Sequence, residues 1–125
     1  MAPSVVDRLA DAISTRDIEA LVACFAPTFS MEWPVHPARS FNGPDQVQRN
    51  WEALFRAYPT IQAMIATRVQ SGDETWGEWE FTSEAHDGAR FWQRGVIIVN
   101  IEGEHIVKSR FYMEPVEEAE GTPGS

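Results

Sequence analysis

Residues 91–113, FWQRGVIIVNIEGEHIVKSRFYM, decide how the chain is read. The first part has a continuous apolar middle, Val96-Ile97-Ile98-Val99, too apolar for a strand with one wet face. Ile101 to His105, IEGEH, is a turn, and the segment from His105 to Met113 returns as a second strand. A connection this short makes the two strands antiparallel neighbours. One face of the VIIV strand must take the rest of the domain. The other is expected to meet a second layer or a second subunit, which points to a homodimer through the outer sheet face.

Upstream, TWGEWEF (75–81) reads as a strand with Trp76, Glu78 and Glu80 on one face and Gly77, Trp79 and Phe81 on the other. SEAHDGAR (83–90) connects it to the next strand, with Asp87-Gly88 as a possible two-residue turn. In residues 61–72, Ile61, Ala63, Ile65, Thr67 and Val69 share a face. TFSMEW (28–33) alternates Phe29, Met31 and Trp33 against Ser30 and Glu32, a further short strand.

Three segments carry the helical period instead. Residues 4–14 place Val5, Leu9, Ala12 and Ile13 on one stripe, with Ser4 and Asp7 as a capping pair. A second helix, about 17–25, presents Ile18, Leu21, Val22 and Phe25 and is stopped by Pro27. The third starts at Pro44-Asp45, carries Val47, Trp51, Leu54, Phe55 and Tyr58, and ends at Pro59. PVHPARSFNGP (34–44) reads as loop or turns. The order is α-α-β-α-β-β-β-β.

With 125 residues the chain has room for one domain, expected over 1–116, followed by an acidic flexible tail over 117–125. The net charge is -9, from 10 basic and 19 acidic residues, and repels nucleic acid and anionic lipid. Its 43% apolar content and five tryptophans suit a bulky core, an apolar pocket or an interface. The single cysteine, Cys24, allows no internal disulfide and reads as a buried apolar group. With no basic leader and no long apolar run, a cytoplasmic location is the expectation.

Dinucleotide and P-loop glycine motifs, zinc-type histidine spacings and a G-x-S-x-G elbow are all absent from the sequence. No cofactor and no metal are expected. Ser30, Ser40 and Ser109 have no base close in sequence to activate them.

Four segments together resemble the SnoaL-like branch of the NTF2-like superfamily, which includes ketosteroid isomerases and polyketide cyclases. They are TRDIEALVACFAPTFSMEWP, FNGPDQVQRNWEALFRAYP, EWEF and GVIIVNIEGEHIVKSRFYMEP. The resemblance implies an α+β fold, a cone-like curved mixed β-sheet wrapped around three N-terminal helices, with an apolar pocket in its mouth. It also implies dimers formed through the outer sheet face, and chemistry by an acid in an otherwise apolar cavity. The family's usual aspartate is replaced here by Val96, whereas Glu114 falls where the last strand of the family carries an acid.

The candidate catalytic residues are Glu78, Arg94, Tyr112, Glu114 and His36. Glu78 or Glu114 would move a proton, Arg94 and Tyr112 would hold developing negative charge, and His36 would serve at the pocket rim. Trp33, Trp51, Trp76, Trp92 and Arg110 are the candidate pocket residues. An even register would turn Glu78, Arg94, Arg110, Tyr112 and Glu114 to one side. Two functions stay open: a cofactor-independent isomerase, cyclase or lyase acting on a small hydrophobic carbonyl compound, and a non-catalytic ligand-binding or structural dimeric module.

Overall fold

Ser4 begins the first helix as expected. Its hydroxyl accepts from the Asp7 amide at 3.2 Å and donates to the Asp7 carboxylate at 2.9 Å. The computed structural model describes residues 4–85 and 90–117. The Asp87-Gly88 turn and nearly all of the acidic tail lie outside the described residues.

Helix α1 spans Val5–Ser14 and buries Val5, Val6, Leu9, Ala12 and Ile13. Helix α2 is only Ile18–Val22, capped by Asp17, shorter than its periodicity suggests. The chain must leave the helix early because Phe25 already pairs with Ile106 as a strand. Pro27 therefore sits inside strand β1, Phe25–Glu32, where the ladder shifts register between Phe25 and Ser30. After a 3-10 turn at Pro37–Arg39, Phe41–Asn42 form a two-residue strand, β2. The sequence shows this segment only as loop, since two residues carry no period. Helix α3, Pro44–Ala57, buries Val47 and Trp51.

Strands β3 (Gln62–Ser71), β4 (Glu74–Thr82), β5 (Trp92–Glu102) and β6 (His105–Pro115) complete a curved, unclosed mixed sheet. Its strand order is β2-β1-β6-β5-β4-β3, and β1 beside β6 is its parallel pair. With the three helices this is the α+β cone that the resemblance implies. No helix among the described residues is long and apolar enough to cross a membrane.

The register is even throughout the centre. Ile98 lies between Trp76 and Arg110, Val96 between Glu78 and Tyr112, and Arg94 between Glu80 and Glu114. The odd row, including Trp79, Phe81, Ile97, Val99 and Met113, belongs to the core cluster shared with α1 and α3. The even row thus faces away from the helices.

Two glycines permit close approach. A Cβ at Gly77 would lie 2.9 Å from Trp79 Nε1, so the buried indole lies over the bare backbone. At Gly95 a Cβ would meet the Tyr112 carbonyl oxygen at 2.0 Å.

Two expectations about faces change. A register shift between Ile65 and Thr67 turns Val69 outward beside Trp76, leaving it 67% exposed. Ile98, on the outer face of VIIV, is 2% exposed within the single chain. Its register neighbours Trp76 and Arg110 are tied together by Glu74, which accepts from Trp76 Nε1 at 2.9 Å and Arg110 Nη2 at 2.8 Å. Doubly apolar sequence here does not by itself require a second chain.

Candidate functional site

The odd row, α3 and α1 enclose a cavity of about 420 Å³. Leu9 and Ile13 come from α1, and Val47, Trp51 and Leu54 from α3, because their helical stripes face the sheet. Trp79 and Phe81 of β4, Ile97 of β5 and Phe111 of β6 form the facing wall. Met31 and Trp33 close the side of β1, and Phe41 places the short β2 at the same wall. Among the described residues no aspartate, glutamate, histidine, lysine or arginine lines this space. Its polar side chains, indoles aside, are those of Asn50, Gln93 and Ser109.

Trp33 and Trp51 line this space. Trp76, Trp92 and Arg110 do not; the even register sets all three on the outer face. The same holds for Glu78, Arg94 and Tyr112. Glu78 is exposed, and its nearest partners across the ladder are Val96 and Thr67. Arg94 binds Glu80 instead, Nε to Oε2 at 3.0 Å. The reason is simple. Trp79 and Phe81 carry far more apolar surface than Glu78 and Glu80, so β4 turns its odd side to the helices.

Glu80 is not the solvated end-of-strand acid its position suggests. Trp92 Nε1 donates to its carboxylate at 2.5 Å, and its side chain is 19% exposed. The Trp92 bond and the Arg94 guanidinium hold its carboxyl below the usual range. Arg90 and Arg94 both lie against the Trp92 ring, 4.4 and 5.2 Å from its centroid. This cluster fixes a charge in place, which is the opposite of a base poised near neutrality.

His36 and Glu114, 78 positions apart, do meet. His36 Nε2 and Glu114 Oε2 are 2.7 Å apart, at side-chain exposures of 34% and 53%. The His36 ring lies 6.3 Å from the Trp33 indole, which also carries Arg39 at 5.0 Å. Trp33 thus neighbours His36 and lines the cavity, whereas His36 and Glu114 do not line it. Among the described residues no group of 3 or more histidine, cysteine or acidic side chains could hold a metal ion.

The lining residues Asn50, Gln93, Ser109 and Phe111 are not legible as site residues from chemistry-bearing types. The available signal is parity: Phe111 and Met113 continue the apolar odd row, and Ser109 interrupts it.

A family model described as a SnoaL-like domain matches residues 6–109. The chain belongs to the SnoaL-like domain family. Solved structures similar to this SnoaL-like chain share its fold at low identity. IdmH, a candidate polyketide cyclase from Streptomyces antibioticus, is 16% identical, with a TM-score of 0.75 over 88% of this chain and 89% of that one. An NTF2-like protein of unknown function from Exiguobacterium is 22% identical, with a TM-score of 0.72 over 92% and 100%. A protein of ketosteroid isomerase-like fold from Catenulispora acidiphila, solved with trimethylamine, is 19% identical, with a TM-score of 0.72 over 90% and 87%. A comparison with curated proteins gave no match.

Proposed function

We propose that this SnoaL-like domain binds a small, neutral, mostly apolar ring-bearing molecule in the cavity between its helices and sheet. The carrying observation is the wall itself: about 420 Å³ lined by aromatic and aliphatic side chains, with no charged group among the described residues. That volume suits a small-molecule ligand of two to four rings. An anion buried there would have no counter-charge, which disfavours carboxylates and phosphates. The fold shared with a candidate polyketide cyclase supports a ring-bearing ligand. The test is titration with 2-acetylnaphthalene, read by quenching of the cavity tryptophans. Saturable binding, weakened at least tenfold by Ala53→Phe in the lining, is expected; no binding to the unaltered protein sinks the reading.

A second reading, a cofactor-independent isomerase, cyclase or lyase, is favoured by one observation, the 2.7 Å contact of His36 with Glu114 beside Trp33. A histidine backed by a carboxylate is a proton carrier. Exchange of the methyl-ketone protons of 2-acetylnaphthalene into D2O, followed by NMR, checks it. Exchange that His36→Gln does not slow would remove this reading. A homodimer through the outer sheet face and a cytoplasmic setting belong to the same proposal, supported by the exposed Trp76 and Val69 and by the buried lone thiol.

A further inference from the structure

One row of side chains crosses the inner face of the sheet: Thr75, Val99, Ser109, Met31 and Phe41. Ser109 is 2% exposed and borders the cavity, between the apolar side chains of Val99 and Met31. Among the described residues its hydroxyl has no hydrogen-bond partner. Ser83, also buried, is satisfied: its hydroxyl accepts from the Phe91 amide at 3.0 Å and donates to the Glu84 carbonyl at 3.1 Å. Thr75, buried in the same row as Ser109, likewise has no hydrogen-bond partner for its hydroxyl among the described residues, but it does not border the cavity. A buried hydroxyl without a partner destabilises the empty protein, and of these two only that of Ser109 can meet a molecule in the cavity.

We propose that Ser109 is the polar anchor of the cavity, its hydroxyl hydrogen-bonding a carbonyl or hydroxyl oxygen on an otherwise apolar ligand. The inference rests on the reading of the cavity as a ligand site and names the ligand's one required group. A serine hydroxyl both donates and accepts, so a ketone, phenol or alcohol satisfies it equally. A charged group is not served, since no described lining residue carries opposite charge. Few polar atoms are wanted elsewhere on the ligand, because the other polar side chains of the wall are Asn50 and Gln93 together with indole N–H groups.

The test compares 2-acetylnaphthalene with 2-isopropenylnaphthalene, which has the same shape with CH2 in place of the ketone oxygen. Each is titrated against the unaltered protein and Ser109→Ala by tryptophan quenching, and both proteins are melted without ligand. The expected result is a loss of about tenfold in ketone affinity on Ser109→Ala. The hydrocarbon should change less than about twofold, and the ligand-free variant should melt at the same temperature or higher. Three results overturn the anchor: unchanged ketone binding, equal loss for both probes, or a lower melting temperature of the ligand-free variant. Failure of both probes to bind the unaltered protein overturns instead the reading of the cavity on which the anchor rests.

Discussion

Glu80 and Arg94 stand opposite each other across β4 and β5 and join at 3.0 Å on the face turned away from the helices. With the Trp92 indole donating to the same carboxylate oxygen, they form a charged brace on the back of the sheet rather than part of the cavity. The heptad TWGEWEF owes its two glutamates to that outer face, and its Trp79 and Phe81 to the pocket wall.

The brace makes stability depend on pH. The Trp92 bond, and then the Arg94 guanidinium, lower the Glu80 carboxyl from its ordinary 4.5 in the folded state. A depressed carboxyl stabilises the fold above its unfolded value, and that contribution is lost as pH falls through the folded value. Asp7, lowered from 3.8 chiefly by its hydrogen bond from Arg68, acts in the same direction. Glu80→Gln should cost on the order of 1 kcal/mol at pH 7. Thermal melts at pH 7 and at pH 2.5 check this: the deficit should shrink at the lower pH, where the unaltered Glu80 is losing its charge.

Gly95 and Gly77 should respond very differently to alanine. At Gly95 the new methyl meets the Tyr112 backbone carbonyl at 2.0 Å, so the β5–β6 ladder must part. Gly95→Ala is expected to cost more than about 4 kcal/mol, in the range reserved for core disruption. Gly77→Ala displaces only the Trp79 ring edge, at 2.9 Å, for about 1–3 kcal/mol. Urea unfolding followed by circular dichroism ranks the two; equal costs would contradict the register.

Cys24 is 2% exposed, and burial pushes its thiol upward. The native protein should react with an aromatic disulfide reagent at least about a hundredfold more slowly than the urea-unfolded chain. Rapid labelling of the folded protein at pH 7.5 would show that the turn between α2 and β1 opens readily.

Trp76 and Val69 are 43% and 67% exposed on the outer face, as register neighbours. If that face carries the proposed homodimer, Val69→Lys should move the mass measured by light scattering from two chains to one, with the fold retained. A monomeric unaltered protein at about 100 µM, well above the affinity of a standard-sized interface, would remove the homodimer proposal.

Much of the architecture was legible in local pattern. The stripes of α1 and α3, the β5–β6 turn and the alternation of β4 each depend on residues close in sequence, and all appear. The shortfalls have local physical causes. α2 loses its end because Phe25 is claimed by β6, β2 is too short to show a period, and the shift after Ile65 reverses the face of Val69.

The site was less legible. Parity within the sequence states that Glu78, Arg94 and Tyr112 share one side if the register is even. It does not state which side receives the helices. Only assembly of the sheet over α1 and α3 decided that, because burying Trp79, Phe81, Ile97 and Phe111 removes far more apolar surface from water than burying the glutamates' side would. The same assembly joined His36 to Glu114 across 78 residues and left one serine hydroxyl facing an apolar cavity. Periodicity is written in neighbours along the chain; contact is settled by which faces the folded layers can afford to leave wet.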